Sequence, residues 1–380
     1  MAASFVDRRV AIVSAHSTMV DRLPEILAAH AHDITFIGCP EDPLHRSTFV
    51  TSTHPIGAHA QCAQFVPRLV GRDDILARLP DWTLWGSDVD LYRTARSTLP
   101  IEAKLRILPA RTREGLRILG SKTDLALLST ELGLPFPRSV VVHEPSGLES
   151  SIEQVGFPLL LKGERGAAGE RIRMARTAQD LWADPIPEPW YPLLAQESLT
   201  GAEAAVETLF VRGRLAGWLY SEPVTRESEF GVQTATRFVG PPSDDFADTL
   251  DRLAQAAGLH GFANCSFIRL EEPTRHVLIE ADMRANAWHQ FGPALGVDWG
   301  ALMFADDDPP RPPVGPSIAP GDDTVVHLYP RELVYARATR SWAAAAPWLT
   351  NAPGTWRMRN RRDRAINAAD RRAIASARIN

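Results

Sequence analysis

Over the first hundred residues the apolar positions come as short unbroken runs separated by polar, turn-rich segments. RVAIVSA at 9–15 is such a run, a helix-like stretch follows around Arg22 to His30, and ITFIGCP at 34–40 is a second strand candidate. Strand, helix and strand in that order predict a small parallel sheet reaching to about residue 110, because buried parallel strands read as continuous apolar runs joined by crossovers. No G-x-G-x-x-G follows the first strand, so a dinucleotide site there lacks its glycine fingerprint.

After Gly120 the period changes. Ser121 can cap a helix with Asp124 three residues on; Leu125, Leu128 and Leu132 share one face, and Gly133 and Pro135 end it. VVVHE, PLLLK, PLLAQE, AAVETLFV and RLAGWLY read as successive strands, the last two joined by a turn at Gly213, and residues 244–257 predict an amphipathic helix. FANCSFIRL and HVLIEAD follow as a strand pair. Residues 306–323 are rich in proline and acid and predict a linker or an extended surface crossing. A strand-like VVHLYP and a basic tail complete the chain, and no internal repeat is present.

Composition bounds this picture. A chain of 380 residues, 44% of them hydrophobic, should divide into two or three packed subdomains. Its net charge of -5 gives no general attraction to nucleic acid or to acidic membranes. No segment approaches the ~18 to 20 apolar residues of a membrane span, and the opening MAASFVDRRVAIVSAH places charge ahead of a run too short for a secretory signal, so the expected location is cytoplasmic. Cys39, Cys62 and Cys265 are too scattered for a disulfide framework or a thiolate metal site and are expected to be structural. The tail from residue 357 carries eight arginines against Asp363 and Asp370, which predicts a solvated helix or a domain-docking surface; a contact for a phosphorylated substrate is the alternative.

Candidate chemistry lies in four segments. Lys122 sits in the first turn of the capped helix, where its charge and the helix amides could both address a phosphate, or where it is a solvated surface lysine. Lys162 ends the apolar run FPLLLK and precedes GERGAAGER, with glycines at 163, 166 and 169. A lysine at the inner end of a buried strand is costly unless it meets an anion, and small residues let backbone amides close over that anion; the alternative is a hairpin turn. Gln196 and Glu197 end one strand and Glu203 begins the next. Finally, Glu280, Asp282 and Arg284 alternate onto one face, which suits a magnesium site beside a neutralising arginine or, equally, an exposed salt-bridged strand. His289, with Trp288 and Gln290, could contact an acceptor or simply pack, and Arg226 and Arg237 flank a loop, SEFGV, that could cover a carboxylate.

In this order, the segments between about residues 118 and 300 resemble the ATP-grasp superfamily, the fold shared by D-alanine:D-alanine ligase, biotin carboxylase and many carboxylate-amine ligases. The resemblance implies an α/β chain of α+β subdomains: a Rossmann-like pre-ATP-grasp domain at 1–112, a small subdomain with the glycine-rich loop at 113–192, and a subdomain with the metal site at 193–305. A linker at 306–323 and a C-terminal extension at 324–380 would follow. It further implies ATP with magnesium or manganese. Lys122 and Lys162 fall on the phosphate-binding lysines, Gly163, Gly166 and Gly169 on the loop that closes over them, Gln196, Glu197 and Leu199 on the adenine hinge, and Glu203 on the ribose-binding acid. Glu280 and Asp282 match metal positions of the E-x-N-x-R pattern, with Arg284 as its arginine.

Two positions depart from that pattern: Ser266 stands where relatives place an Asp, Glu or Gln ligand, and Asp282 stands where they place Asn. Both sets carry two negative charges, so the charge has moved one strand over, and a degenerate site that binds ATP without turnover is the competing reading. The activity implied is that of a ligase that converts a small-molecule carboxylate to an acyl phosphate and joins it to an amine or other nucleophile, releasing ADP and phosphate. Homodimers through the N-terminal domain are common among such relatives. The rivals are a carboxylating or carbamoylating enzyme of the same fold, a non-catalytic nucleotide-binding module, and a nicotinamide-dependent oxidoreductase.

Overall fold

The computed structural model describes residues 7–57, 63–165, 169–305, 308–318, 324–350 and 363–377. Gly166 and Cys62 therefore lie outside the described residues, as does most of the arginine run of the tail. The N-terminal runs form a parallel sheet of four strands, β1 (Arg9–Ser14), β2 (Asp33–Gly38), β3 (Ser52–Pro55) and β4 (Trp82–Trp85), in the order β3-β2-β1-β4. Central strand β1 alternates Ala11 and Val13 into one core with Val10 and Ile12 into another, which is why its sequence carries no polar face.

A second sheet is antiparallel: β5 (Ser139–Val142), β6 (Leu159–Gly163), β7 (Ile172–Ala175) and β8 (Leu193–Glu197), in the order β5-β8-β6-β7. Leu159 and Leu161 of β6 and Leu193 and Ala195 of β8 point into one small core, so strand alternation sends Leu160 and Lys162 to the other face.

The third sheet has six strands, β9 (Ala202–Val211), β10 (Arg214–Arg226), β11 (Gln233–Phe238), β12 (Gly261–Glu271), β13 (Thr274–Asp282) and β14 (Thr324–His327), in the order β13-β12-β9-β10-β11-β14. The amphipathic helix at Asp245–Ala257 buries Phe246, Leu250 and Leu253 against it and stops at Gly258, whose φ of 58° a side chain would resist. Residues 324–327, grouped by sequence with the C-terminal extension, are thus an edge strand of this sheet, paired to β11. The proline-rich stretch before them runs extended across β10, exchanging backbone hydrogen bonds between Val314 and both Ala216 and Trp218.

The tail helix, Arg364–Ser376, docks on the N-terminal domain through its acids and one apolar residue rather than through its arginines. Asp370 accepts from Arg22 at 2.6 Å with both side chains buried, Asp363 accepts from Ser47, and Ile366 is fully buried, while Arg371 and Arg372 are exposed.

Candidate active site

The three sheets meet around a cavity of about 510 Å³. Its walls come from the loops after β1 and β4, the start of the Lys122–Glu131 helix, the ends of β6 and β8, and one face of β9, β12 and β13.

A β-bulge decides what β13 shows to this cavity. Phe267 pairs with Leu278 but Ser266 pairs with Glu280, so Ile279 is an extra residue on β13. One inserted residue reverses the alternation. Leu278 accordingly packs in the core, whereas Glu280 and Asp282 line the cavity with Arg284 just beyond the strand.

Lys122 reaches Glu280 across the cavity as an ion pair. Burial would lower its pKa, but Glu280 and Asp282 together hold it raised. Glu280 is correspondingly held low, against its own desolvation, by Lys122 and Lys162, while burial together with Asp88 and Glu280 pushes Asp282 above the ordinary carboxylate range. Lys162 is different: its side chain is buried, and among the described residues its ammonium has no hydrogen bond and no ion pair within 4 Å. Desolvation takes its pKa down to about 8 despite the pull of Glu280. Arg284 is clamped between Asp282, at 2.8 Å, and Asp88 from the N-terminal domain.

At the helix start that carries Lys122, the Thr123 and Asp124 amides are already engaged. Ser121 caps it by accepting from the Asp124 amide, and the buried Glu164 carboxylate accepts from the Thr123 amide at 3.1 Å and from the Ser121 hydroxyl at 2.5 Å. A carboxylate satisfies the helix N-terminus from within. The Gly163 and Glu164 amides are likewise engaged, donating to Arg171 and Pro192 carbonyls. Gly163 and Gly169 line the cavity, and Gly169, at φ 79°, lies against Phe230, where an added Cβ would come within 2.6 Å of the carbonyl oxygen. Phe230 belongs to the SEFGV loop, which covers this side; Arg226 turns away to Glu203, and neither Arg226 nor Arg237 lines the cavity.

Other sequence candidates lie off the cavity wall. Gln196 is buried with its amide on the Ser139 hydroxyl, Glu197 forms a two-pronged pair with Arg138, Glu203 pairs with Arg226, and Leu199 sits half-buried between β8 and β9. Ser266, in register between Ala205 and Glu280, does not line the cavity either. Asn264 does, directly opposite Asp282. His289 is fully buried against Phe262 and Trp299, beyond reach of the cavity, and burial lowers its pKa to about 4; its neighbour Trp288 is the one that lines the wall.

No family description and no curated protein sequence matches this chain. Solved structures do. An L-amino acid ligase from Bacillus licheniformis superposes with TM-score 0.58 at 16% identity, over 79% of this chain and 74% of that one. A carboxyaminoimidazole ribonucleotide synthase from Aspergillus clavatus, complexed with ATP, gives TM-score 0.59 at 16% identity over 84% and 82%. A biotin carboxylase from Campylobacter jejuni, in complex with a β,γ-ATP ligand, gives 0.56 at 14% identity over 77% and 70%. The chain has the ATP-grasp fold. Within that fold, Asp88, Glu164 and Asn264 join the residues marked by the sequence. The strand face of Asn264 was legible, since it lies two residues before Ser266. Asp88 and Glu164 carried no local signal, because each acts on a partner placed by tertiary packing.

Proposed function

We propose that this ATP-grasp chain is an ATP-dependent ligase that phosphorylates a carboxylate and transfers the resulting acyl group to an amine or other nucleophile. The observation that carries this reading is Lys162: a buried ammonium without a partner is costly, and a phosphate group placed against it would remove that cost. Lys122 would hold the same triphosphate from the opposite wall, and Gly169 with the segment around it would close over it. The resemblance would place adenine along Gln196, Glu197 and Leu199 and the ribose at Glu203, which requires the segment between β8 and β9 to open toward the cavity, since none of the four lines it.

The donors also fit magnesium. That ion takes oxygen ligands in near-octahedral geometry, typically one or two carboxylates plus substrate phosphates and water. Glu280 and Asp282 offer such a pair, and among the described residues no group of three or more His, Cys, Asp or Glu forms a self-sufficient cage. When bound, the ion neutralises charge on the phosphates. Arg284 would orient the incoming carboxylate and stabilise negative charge on the transferring group, its guanidinium shared with Asp88 and Asp282 until substrate arrives. Glycine-rich and SEFGV segments over the cavity would keep water from the acyl phosphate.

An ADP-release screen against pooled amino acids, hydroxy acids and amines, with mass detection of condensed product, tests the proposal. Magnesium-dependent ADP release with a product lighter than its two precursors by one water is expected. Tight ATP binding with no ADP from any pool would replace the ligase with a non-catalytic nucleotide-binding module.

A further inference from the structure

Three strands place Glu207, Asn264 and Asp282 in one row across the large sheet: Asn264 pairs with Glu207 on one side and with Asp282 on the other. The hydrogen atoms in this row can be assigned from a fixed point. The Trp288 backbone N–H can only donate, and it donates to Asn286 Oδ1 at 3.0 Å, which turns the Asn286 amide nitrogen toward Glu207 Oε1, 3.5 Å away. Glu207 Oε1 therefore accepts. Burial pushes the Glu207 pKa up to about 7, and whether ionised or with its proton on the unpartnered Oε2 the carboxyl keeps Oε1 an acceptor, so the Asn264 amide presents Nδ2 to it, at 2.9 Å. Asn264 Oδ1 is then aimed away from Glu207. No donor meets it among the described residues, and Asn264 lines the cavity beside Asp282.

We propose that Asn264 Oδ1 is a ligand of the divalent ion, completing Glu280 and Asp282, and that buried Glu207 is the positioning residue that keeps this oxygen, rather than the amide nitrogen, facing the metal. This rests on the reading of the cavity as a metal-nucleotide site. It explains why Ser266 can be dispensed with: the amide and the carboxylate of the site have exchanged strands, amide on β12 and carboxylate on β13, with one oxygen donor still contributed from each. Glu207 is wholly buried, yet its Oε2 has no partner, so the carboxylate is retained without full compensation by its surroundings. A glutamine there can keep its own Oε1 against both amides, because Asn286 Nδ2 still needs an acceptor, whereas a methionine has no oxygen to hold Asn264.

The test is Mn2+ binding in the presence of ADP, followed by the electron paramagnetic resonance of free Mn2+, with ADP binding in EDTA measured alongside. Asn264→Ala and Glu207→Met should each weaken Mn2+ by about 10- to 100-fold, while ADP binding in EDTA stays at the wild-type level. Glu207→Gln keeps the accepting oxygen and should retain near wild-type Mn2+ affinity; a loss there with ADP binding in EDTA intact would overturn the positioning role. Wild-type Mn2+ affinity in Asn264→Ala overturns the assignment. So does a loss matched equally by ADP binding in EDTA, which would make the residue a packing element. A wild-type chain that binds ADP without recruiting Mn2+ overturns the site reading itself, and this ligand with it.

Discussion

Arg284, just past β13, donates to Asp88, 196 residues earlier in the chain, so one charge pair closes the cavity between the N-terminal domain and the large sheet. Asp88 keeps a second carboxylate oxygen buried and without a partner. Replacing Asp88 by Ala would leave Arg284 with Asp282 alone, and urea denaturation should show a loss of about 1–3 kcal/mol. The ligase reading adds a kinetic expectation: with one acidic competitor for Arg284 removed, KM for the carboxylate substrate should fall.

Lys162 should trade stability for function. Lys162→Met removes a buried, unpaired ammonium and keeps the length of its stem, so the melting temperature of the nucleotide-free protein should rise. ADP release should drop by roughly 100- to 1,000-fold, the scale set by losing one preorganised electrostatic contact. A variant that is less stable and fully active would remove Lys162 from the site.

The same residue sets a pH dependence. Its folded-state pKa of about 8 lies below the ordinary lysine value, so the native chain loses this proton near pH 8 while the unfolded chain still holds it. The cost of burying the charge is therefore present below pH 8 and disappears as the pH rises, a contribution that favours the native state on the alkaline side. Nucleotide binding has the opposite sign. Phosphate favours the protonated ammonium, so ADP should bind with proton uptake and more weakly as pH climbs through 8, measurable by calorimetry in buffers of different ionisation heat.

Asp282→Asn tests whether the charge moved between strands is needed. If Asp282 supplies the second negative charge at the metal, the variant should need more Mg2+ for half-maximal ADP formation and turn over more slowly. Unchanged turnover and Mg2+ dependence would dispose of that compensation.

Among the described residues of the tail helix, Asp370 rather than Arg371 or Arg372 makes the buried contact with the N-terminal sheet region. Asp370→Ala leaves buried Arg22 with Asp21 alone, at 3.6 Å, and should cost about 1–3 kcal/mol in chemical denaturation. Arg371→Ala and Arg372→Ala, both exposed, should stay within about 0.5 kcal/mol of the parent.

By itself the sequence determined what local pattern can specify. Apolar runs set the parallel sheet, the Ser121 cap and Gly133 bounded a helix, alternation in FPLLLK and HVLIEAD marked Lys162, Glu280 and Asp282, and the order of these segments carried the resemblance to the ATP-grasp fold. Each of those signals lies within a few residues of the side chain it describes. Tertiary structure decided the rest, because partners and orientation depend on which chains of backbone lie alongside. Only packing shows Glu164 accepting at the helix N-terminus beside Lys122, Asp88 reaching Arg284, the tail helix binding Arg22 through Asp370, and which of two residues on one strand face, Asn264 and not Ser266, lines the cavity. The bulge at Ile279 shows the difference most directly: residues 278, 280 and 282 share a parity in the sequence, but one extra residue against β12 sends the first into the core and the others to the cavity.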